Sequence, residues 1–179
     1  MPRILHDGVD HAKILHPDDP KAIGMVVLAC RDGKSWKEYA VSIRDLSYVV
    51  GYFLKRQDVY ISQNRFDGRF RRIATLKQLN ALWVDLDYYR NPELAGLHPW
   101  KVLELVLELL EREGIPAPSF AVATGRGLAL VWLHSPVPRM ALPRWNACQQ
   151  RLYEVLKELG ADPMARDAAR VLRLIGTIN

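Results

Sequence analysis

The 179 residues, 49% hydrophobic and 25% charged, suffice for one packed domain, or one domain with a small extension, with a soluble surface. No apolar run approaches the roughly 20 residues of a membrane helix, the first residues hold no secretory core, and the distant Cys30 and Cys148 form neither a zinc spacing nor a disulfide framework, so a cytoplasmic protein is expected. The net charge of +5 and pI near 9.3 favour a polyanionic partner.

Residues 1–20 read as an N-terminal arm, because His6, His11 and His16 recur every five residues, a ligand spacing of neither helix nor strand. Ile23–Cys30 predicts a buried strand, Arg31–Lys34 a hairpin turn and Lys37–Ile43 the returning strand. Asp45 then stands as the N-cap of a helix through Lys55, with Leu46, Val49, Val50, Phe53 and Leu54 as its apolar stripe. Asp58–Ser62 is another strand. It runs into a glycine-broken segment holding Arg65, Phe66, Arg69, Phe70, Arg71 and Arg72. Arginines interleaved with aromatics suit the phosphates and stacked bases of a single strand; a connector with its phenylalanines tucked under the core is the other reading.

The stretch 81–89 is an apolar and aromatic strand interrupted by Asp85 and Asp87. Alternation puts Trp83, Asp85 and Asp87 on one face and Leu82, Val84 and Leu86 on the other. Two carboxylates in an apolar strand need positive compensation, which a divalent cation supplies; acids that cap a frayed strand end are the alternative. A helix follows over Pro99–Glu113, then a strand over Ser119–Thr124, a tight turn at Gly125-Arg126-Gly127 and a strand over Leu128–Leu133, closed by Pro136 and Pro138. Ala141–Leu159 is an amphipathic helix with Trp145, Cys148, Leu152, Leu156 and Leu159 inward. Asp162-Pro163 has the form of an N-cap with proline at the first helical position. Beyond it, Asp167, Arg170 and Arg173 recur every third residue, either as a ladder of surface ion pairs or as a third metal carboxylate with two phosphate-binding arginines.

Three stretches stand in order: LWVDLDYY at 82–89, ATGRGLALVW at 123–132 and DAARVLRLIGTIN at 167–179. Together they resemble the archaeo-eukaryotic primase superfamily, in particular its plasmid and mobile-element replication primases and primase-polymerases, over residues 58–179. The resemblance implies an α/β (α+β) fold: an RRM-like antiparallel or mixed sheet with flanking helices, residues 1–179 forming a single catalytic domain. It implies that Asp85, Asp87 and Asp167 are catalytic and hold Mg²⁺ or Mn²⁺. Thr124, Gly125, Arg126 and Gly127, with Arg170, Arg173 and Asn179, are then nucleotide-binding. One position departs from the pattern: Ala129 stands where many members carry a histidine, and His134 lies too far along to replace it. The chain stops at Asn179 inside the last motif, as a piece of a longer protein would.

The expected function is template-directed nucleotidyl transfer in plasmid or mobile-element replication, with a single-stranded DNA template, NTP or dNTP substrates and a replicative helicase or helicase domain as partner. A non-catalytic single-stranded nucleic-acid-binding module and a metal-dependent nuclease are the alternatives. A relaxase would need a His-x-His pair, which the sequence lacks.

Overall fold

Apolar alternation broken by short polar turns produces most of the elements. The structure, a computed structural model, describes residues 5–19 and 22–177, so Asn179 lies outside the described residues. In chain order the elements are α1 (Gly8–Leu15), β1 (Val26–Asp32), β2 (Ser35–Val41), α2 (Leu46–Phe53), β3 (Val59–Ser62), β4 (Arg65–Phe66), β5 (Leu76–Leu86) and α3 (Pro99–Arg112). Then follow β6 (Phe120–Ala123), β7 (Leu128–Pro138), α4 (Leu142–Leu156) and β8 (Val171–Arg173). They form two four-stranded sheets, ordered β2-β1-β3-β8 and β4-β5-β7-β6. The fold is therefore α/β with antiparallel sheets and flanking helices, the class the sequence predicts.

The chain divides into two compact units, and β5 and β7 each contribute residues to both. One unit takes the described residues of Leu82–Leu133 and Pro143–Asp167. Its core gathers Val84 and Leu86 of β5 and Leu128, Leu130 and Trp132 of β7 against Val102, Val106 and Leu110 of α3 and Leu152 and Leu156 of α4. Each such side chain, fully buried, contributes about 1.5–3 kcal/mol. β7 continues through Pro136 and Pro138 instead of ending before them, because the fixed φ of proline is compatible with extended backbone. The inward stripe of α4 is Trp145, Gln149, Leu152 and Leu156, and Cys148 is exposed, contrary to its expected core position.

The other unit takes the described residues of Leu5–Ala81, His134–Leu142 and Ala168–Asn179. In its sheet β1 pairs with β2 and β3, and β3 with β8, Tyr60 facing Arg173. Residues 171–173 thus form a strand, not the helical ladder that their charge spacing allowed. Asp45 precedes α2 but makes no capping bond; its carboxylate accepts from Ser42 Oγ at 2.7 Å.

Instead of a loose arm, residues 8–15 form α1, N-capped by Asp7, whose carboxylate accepts from the backbone N–H of Asp10 at 2.8 Å. The helix is pressed close at its start: a Cβ on Gly8 would stand 2.7 Å from the carbonyl oxygen of Ile175. His11 and His16 are both 1% exposed. His16 Nε2 donates to the Ser62 carbonyl at 2.7 Å, leaving Nδ1 as acceptor toward Arg65 Nε and Asn80 Nδ2, each at 3.4 Å. Arg65 also donates to Gln78 Oε1 at 3.1 Å and to the Pro17 carbonyl at 2.9 Å. Arg65 and Phe66 are completely buried, so neither contacts a template; the sequence brings arginine and aromatic together there for the interior.

Burial holds both imidazoles low, His16 to about 3, with Arg65 adding to the effect, and His11 to about 4. In the unfolded chain each takes its proton near 6.5. The unfolded state therefore binds more protons between these values, and stability falls as pH drops below the unfolded value. Each histidine accounts for a loss of about 2 kcal/mol between pH 7 and pH 5. Chemical denaturation of His16→Gln at the two pH values should show a loss smaller than wild type by about that amount. An equal loss in both proteins would contradict the neutral, buried assignment.

Candidate active site

The candidate site is built on the end of β5, within the first unit. Even-numbered residues of this stretch, Val84 and Leu86, point into the core with Leu128 and Leu130 of neighbouring β7. Asp85 and Ala129 consequently occupy the opposite face of the sheet. Trp83 shares that face; its ring lies 5.0 Å from Trp145 and its Nε1 donates to the Ala165 carbonyl at 2.7 Å. β5 stops at Leu86, one residue before Asp87, which leaves the extended conformation at φ −82 and ψ 48 and opens a 3-10 turn over Tyr88–Arg90. The alternation expected through residue 89 therefore ends between the two acids.

One edge of this segment is satisfied without a full partner strand. The side-chain amide of Gln149 accepts from Trp83 N at 2.9 Å and donates to Trp83 O at 3.1 Å, imitating a neighbouring strand. Asp162 N then donates to Asp85 O at 2.8 Å, and Asp87 N donates to Gly160 O at 2.8 Å. Gly160 is obligatory: its φ is +94, and a Cβ would meet the Tyr88 Cα at 3.0 Å. Asp162 also caps the following turn, its Oδ1 accepting from Met164 N at 2.9 Å, as its pairing with Pro163 predicts.

From β7 the glycine-rich turn closes on the same residues. Thr124 N donates to Gly127 O at 3.0 Å, and a Cβ on Gly127 would stand 2.6 Å from the Leu86 carbonyl oxygen. The turn therefore lies directly on the peptide between Asp85 and Asp87. Gly125, at φ 99, turns the chain outward so that Arg126 is exposed. The Arg126 guanidinium sits 5.6 Å from the Tyr89 ring centre. Arg90 lies 5.5 Å from the same ring and pairs with Asp87 at 3.0 Å. Tyr89 thus collects two guanidinium groups, one of them paired with the half-buried Asp87 carboxylate.

Among the described residues, no three His, Cys, Asp or Glu side chains stand close enough to hold a metal ion, so Asp167 does not complete a three-ligand cluster with Asp85 and Asp87. Asp167 is exposed after the turn Pro163–Arg166. The donors at the end of β5 are two carboxylates, a set that suits Mg²⁺ or Mn²⁺ when phosphate oxygens and water complete the shell.

Arg170 and Arg173 belong to the other unit. Arg173 Nη2 reaches Asp58 Oδ1 and the Tyr60 hydroxyl, both at 3.1 Å, and its guanidinium lies 5.0 Å from the Tyr60 ring centre. It thereby holds β8 against β3. Arg170, half-buried, accepts through its carbonyl from Gln63 N at 3.2 Å. Of the arginines expected on a template, Arg71 is tied to Glu38 at 2.7 Å and to the Ala169 carbonyl. Arg69 and Arg72 are exposed, and Arg72 lies over the exposed Phe70 ring. Sequence reasoning missed Gln149, Tyr89 and Arg90; for Gln149 the available signal was its place at i+4 between Trp145 and Leu152.

A "Replication protein" from Clostridium perfringens is 37% identical to this chain over 148 residues, which make up 80% of this chain and 33% of that protein. The chain thus spans about a third of the length of the curated relative it matches. Among solved structures, the AEP domain of the cyanophage S-2L primase-polymerase matches 93% of this chain and 79% of its own, with a TM-score of 0.62 and 23% identity. No family model matches. The chain shares the fold of that AEP domain. None of its described helices is long and apolar enough to cross a membrane.

Gly127→Ala must displace either the turn or the end of β5, since the obstructing atom is backbone. A loss of about 1–3 kcal/mol is expected, lowering Tm by roughly 2–12 °C. Gly96→Ala, where a Cβ meets nothing within 4 Å, is the control and should melt as wild type. A Gly127→Ala melt that matches its control would contradict the close approach.

Proposed function

We propose that this chain is the catalytic part of a replication primase-polymerase, performing template-directed nucleotidyl transfer in the replication of a plasmid or mobile element. The observation that carries this reading is the Gly127 turn seated on the peptide between Asp85 and Asp87, beside exposed Arg126. Two acids and a turn that carries an exposed arginine are thereby held at one strand end. The fold shared with a primase-polymerase domain and the identity with a replication protein support the same conclusion.

In this reading Asp85 and Asp87 would hold Mg²⁺ or Mn²⁺. The bound ion supplies neutralisation of the triphosphate and acidification of the attacking 3′-hydroxyl. Arg126 binds phosphate oxygens through paired N–H donors. Arg90 compensates Asp87 in the free chain and is available to phosphate once that carboxylate is otherwise engaged. Thr124 fixes the turn through its backbone bond to Gly127. Single-stranded DNA is the template and NTP or dNTP the substrate, with a helicase or helicase domain as the working partner.

Primer synthesis on single-stranded templates, with ribo- or deoxynucleotides and with Mg²⁺ or Mn²⁺, tests the assignment. Asp85→Asn and Asp87→Asn should each lower incorporation roughly a hundredfold or more, the scale on which loss of one preorganised electrostatic partner acts. Asp167→Asn, outside any cluster of three in the free chain, should cost less. Near-wild-type incorporation by either of the first two variants would overturn the metal-pair assignment.

A further inference from the structure

The face of α2 turned away from the core carries two exposed tyrosines flanked by arginines. Leu46, Val50 and Phe53 anchor the helix inward. On the other side Arg44, Tyr48, Tyr52 and Arg56 recur every four residues, which places them in one row along the helix and its flanks. Tyr48 is 85% exposed and Tyr52 62% exposed, so neither ring contributes to the interior. The half-buried Arg56 guanidinium lies 5.2 Å from the Tyr52 ring centre and 4.9 Å from that of Phe53, and donates to Cys30 Sγ at 3.9 Å, which fixes it at the end of the row. Arg44 is exposed at the opposite end.

Two further observations bear on what this row meets. Gly51 sits inside the helix, where glycine is less favourable than alanine. A Cβ there would meet nothing within 4 Å, so no packing within the chain requires the glycine. Its absence of side chain clears the surface beside Tyr52. Residues 31–57 hold six lysines and arginines and three acids, and Arg44 shares a surface cavity with Asp18, Asp19 and Asp45. Asp45, the acid next to the row, turns its carboxylate to Ser42.

We propose that Arg44, Tyr48, Tyr52 and Arg56 form a docking stripe for single-stranded nucleic acid, with bases stacked on the tyrosine rings and phosphates met by the terminal arginines. Flat aromatic rings alternating with guanidinium groups fit a strand of any sequence, since every base has a stackable face and every linkage a phosphate. An apolar peptide helix would seek an aliphatic groove, which the row does not offer. The stripe lies on residues separate from Asp85, Asp87 and Arg126, so its role stands or falls independently of the metal site.

Binding of a labelled oligothymidylate, followed by fluorescence anisotropy in EDTA without nucleotide, isolates this surface. The double variant Tyr48→Ala/Tyr52→Ala should bind about tenfold or more weakly, while Tyr48→Phe/Tyr52→Phe keeps wild-type affinity because stacking needs only the ring. Arg44→Gln should reduce the log–log salt slope by about 0.7, one phosphate contact. The readout contains neither metal nor nucleotide, which separates failure of this surface from failure of the catalytic assignment. Circular dichroism of the alanine variant should be unchanged, given the exposure of both rings. Unaltered affinity in the alanine variant would overturn the proposal, as would equal losses in the alanine and phenylalanine variants. Unaltered oligonucleotide binding together with lost binding to a protein partner would assign the stripe to that partner instead.

Discussion

Three backbone positions along one edge of β5, at Trp83, Asp85 and Asp87, have polar groups that must be matched without a full strand alongside. A buried N–H or C=O left without a partner costs about 1–3 kcal/mol, so this edge constrains what can lie against it. Gln149 answers for Trp83 with a side-chain amide, and Gly160 and Asp162 answer for Asp87 and Asp85 with backbone. On the other edge, the Gly127 turn closes over Leu86. The backbone that carries the two carboxylates is therefore fixed by hydrogen bonding on one side and close backbone contact on the other. This explains why a glycine is indispensable at 127 and at 160, on segments that join different elements.

Much of this was legible in sequence, and the remainder was not for definite physical reasons. A buried apolar strand interrupted by two acids announces itself, because burial of charge is costly and so is rarely accidental. The glycine turn was equally readable, as was the cap at Asp162. Gln149 was not: hydrophobicity alone favours Cys148 as the inward residue, and only the unpaired edge of β5 gives a polar amide reason to be buried. Arg173 was misleading in the same way. Its three-residue spacing from Arg170 suits a helix, yet β8 exists because β3 supplies a distant partner and Asp58 and Tyr60 hold the guanidinium. Non-local pairing of that kind leaves no mark on local periodicity.

The second unit shows how composition can suggest a surface where the fold makes an interior. Arg65 and Phe66 have the alternation expected of a strand-binding segment, but Arg65 is enclosed by His16, Gln78 and the Pro17 carbonyl. Those acceptors come from two separate segments, and the histidine serves only while neutral. Asn64 extends the same interior, accepting from Asn80 N at 2.8 Å and donating to the Ala168 carbonyl at 3.0 Å. This polar core connects α1 to the segment leading into β8. The aromatic and cationic surface lies elsewhere, on α2, whose outward spacing was visible in sequence but secondary to its apolar stripe.

The central claim, that the end of β5 is a metal and nucleotide site, can be read without turnover by paramagnetic NMR. In the presence of a nucleoside triphosphate, Mn²⁺ added in small increments should first broaden the amide resonances of Asp85, Leu86, Asp87 and Tyr88, together with those of Thr124–Gly127. Those resonances should recover when EDTA is added. Uniform broadening across the chain, or early broadening confined to residues far from both segments, would contradict the claim.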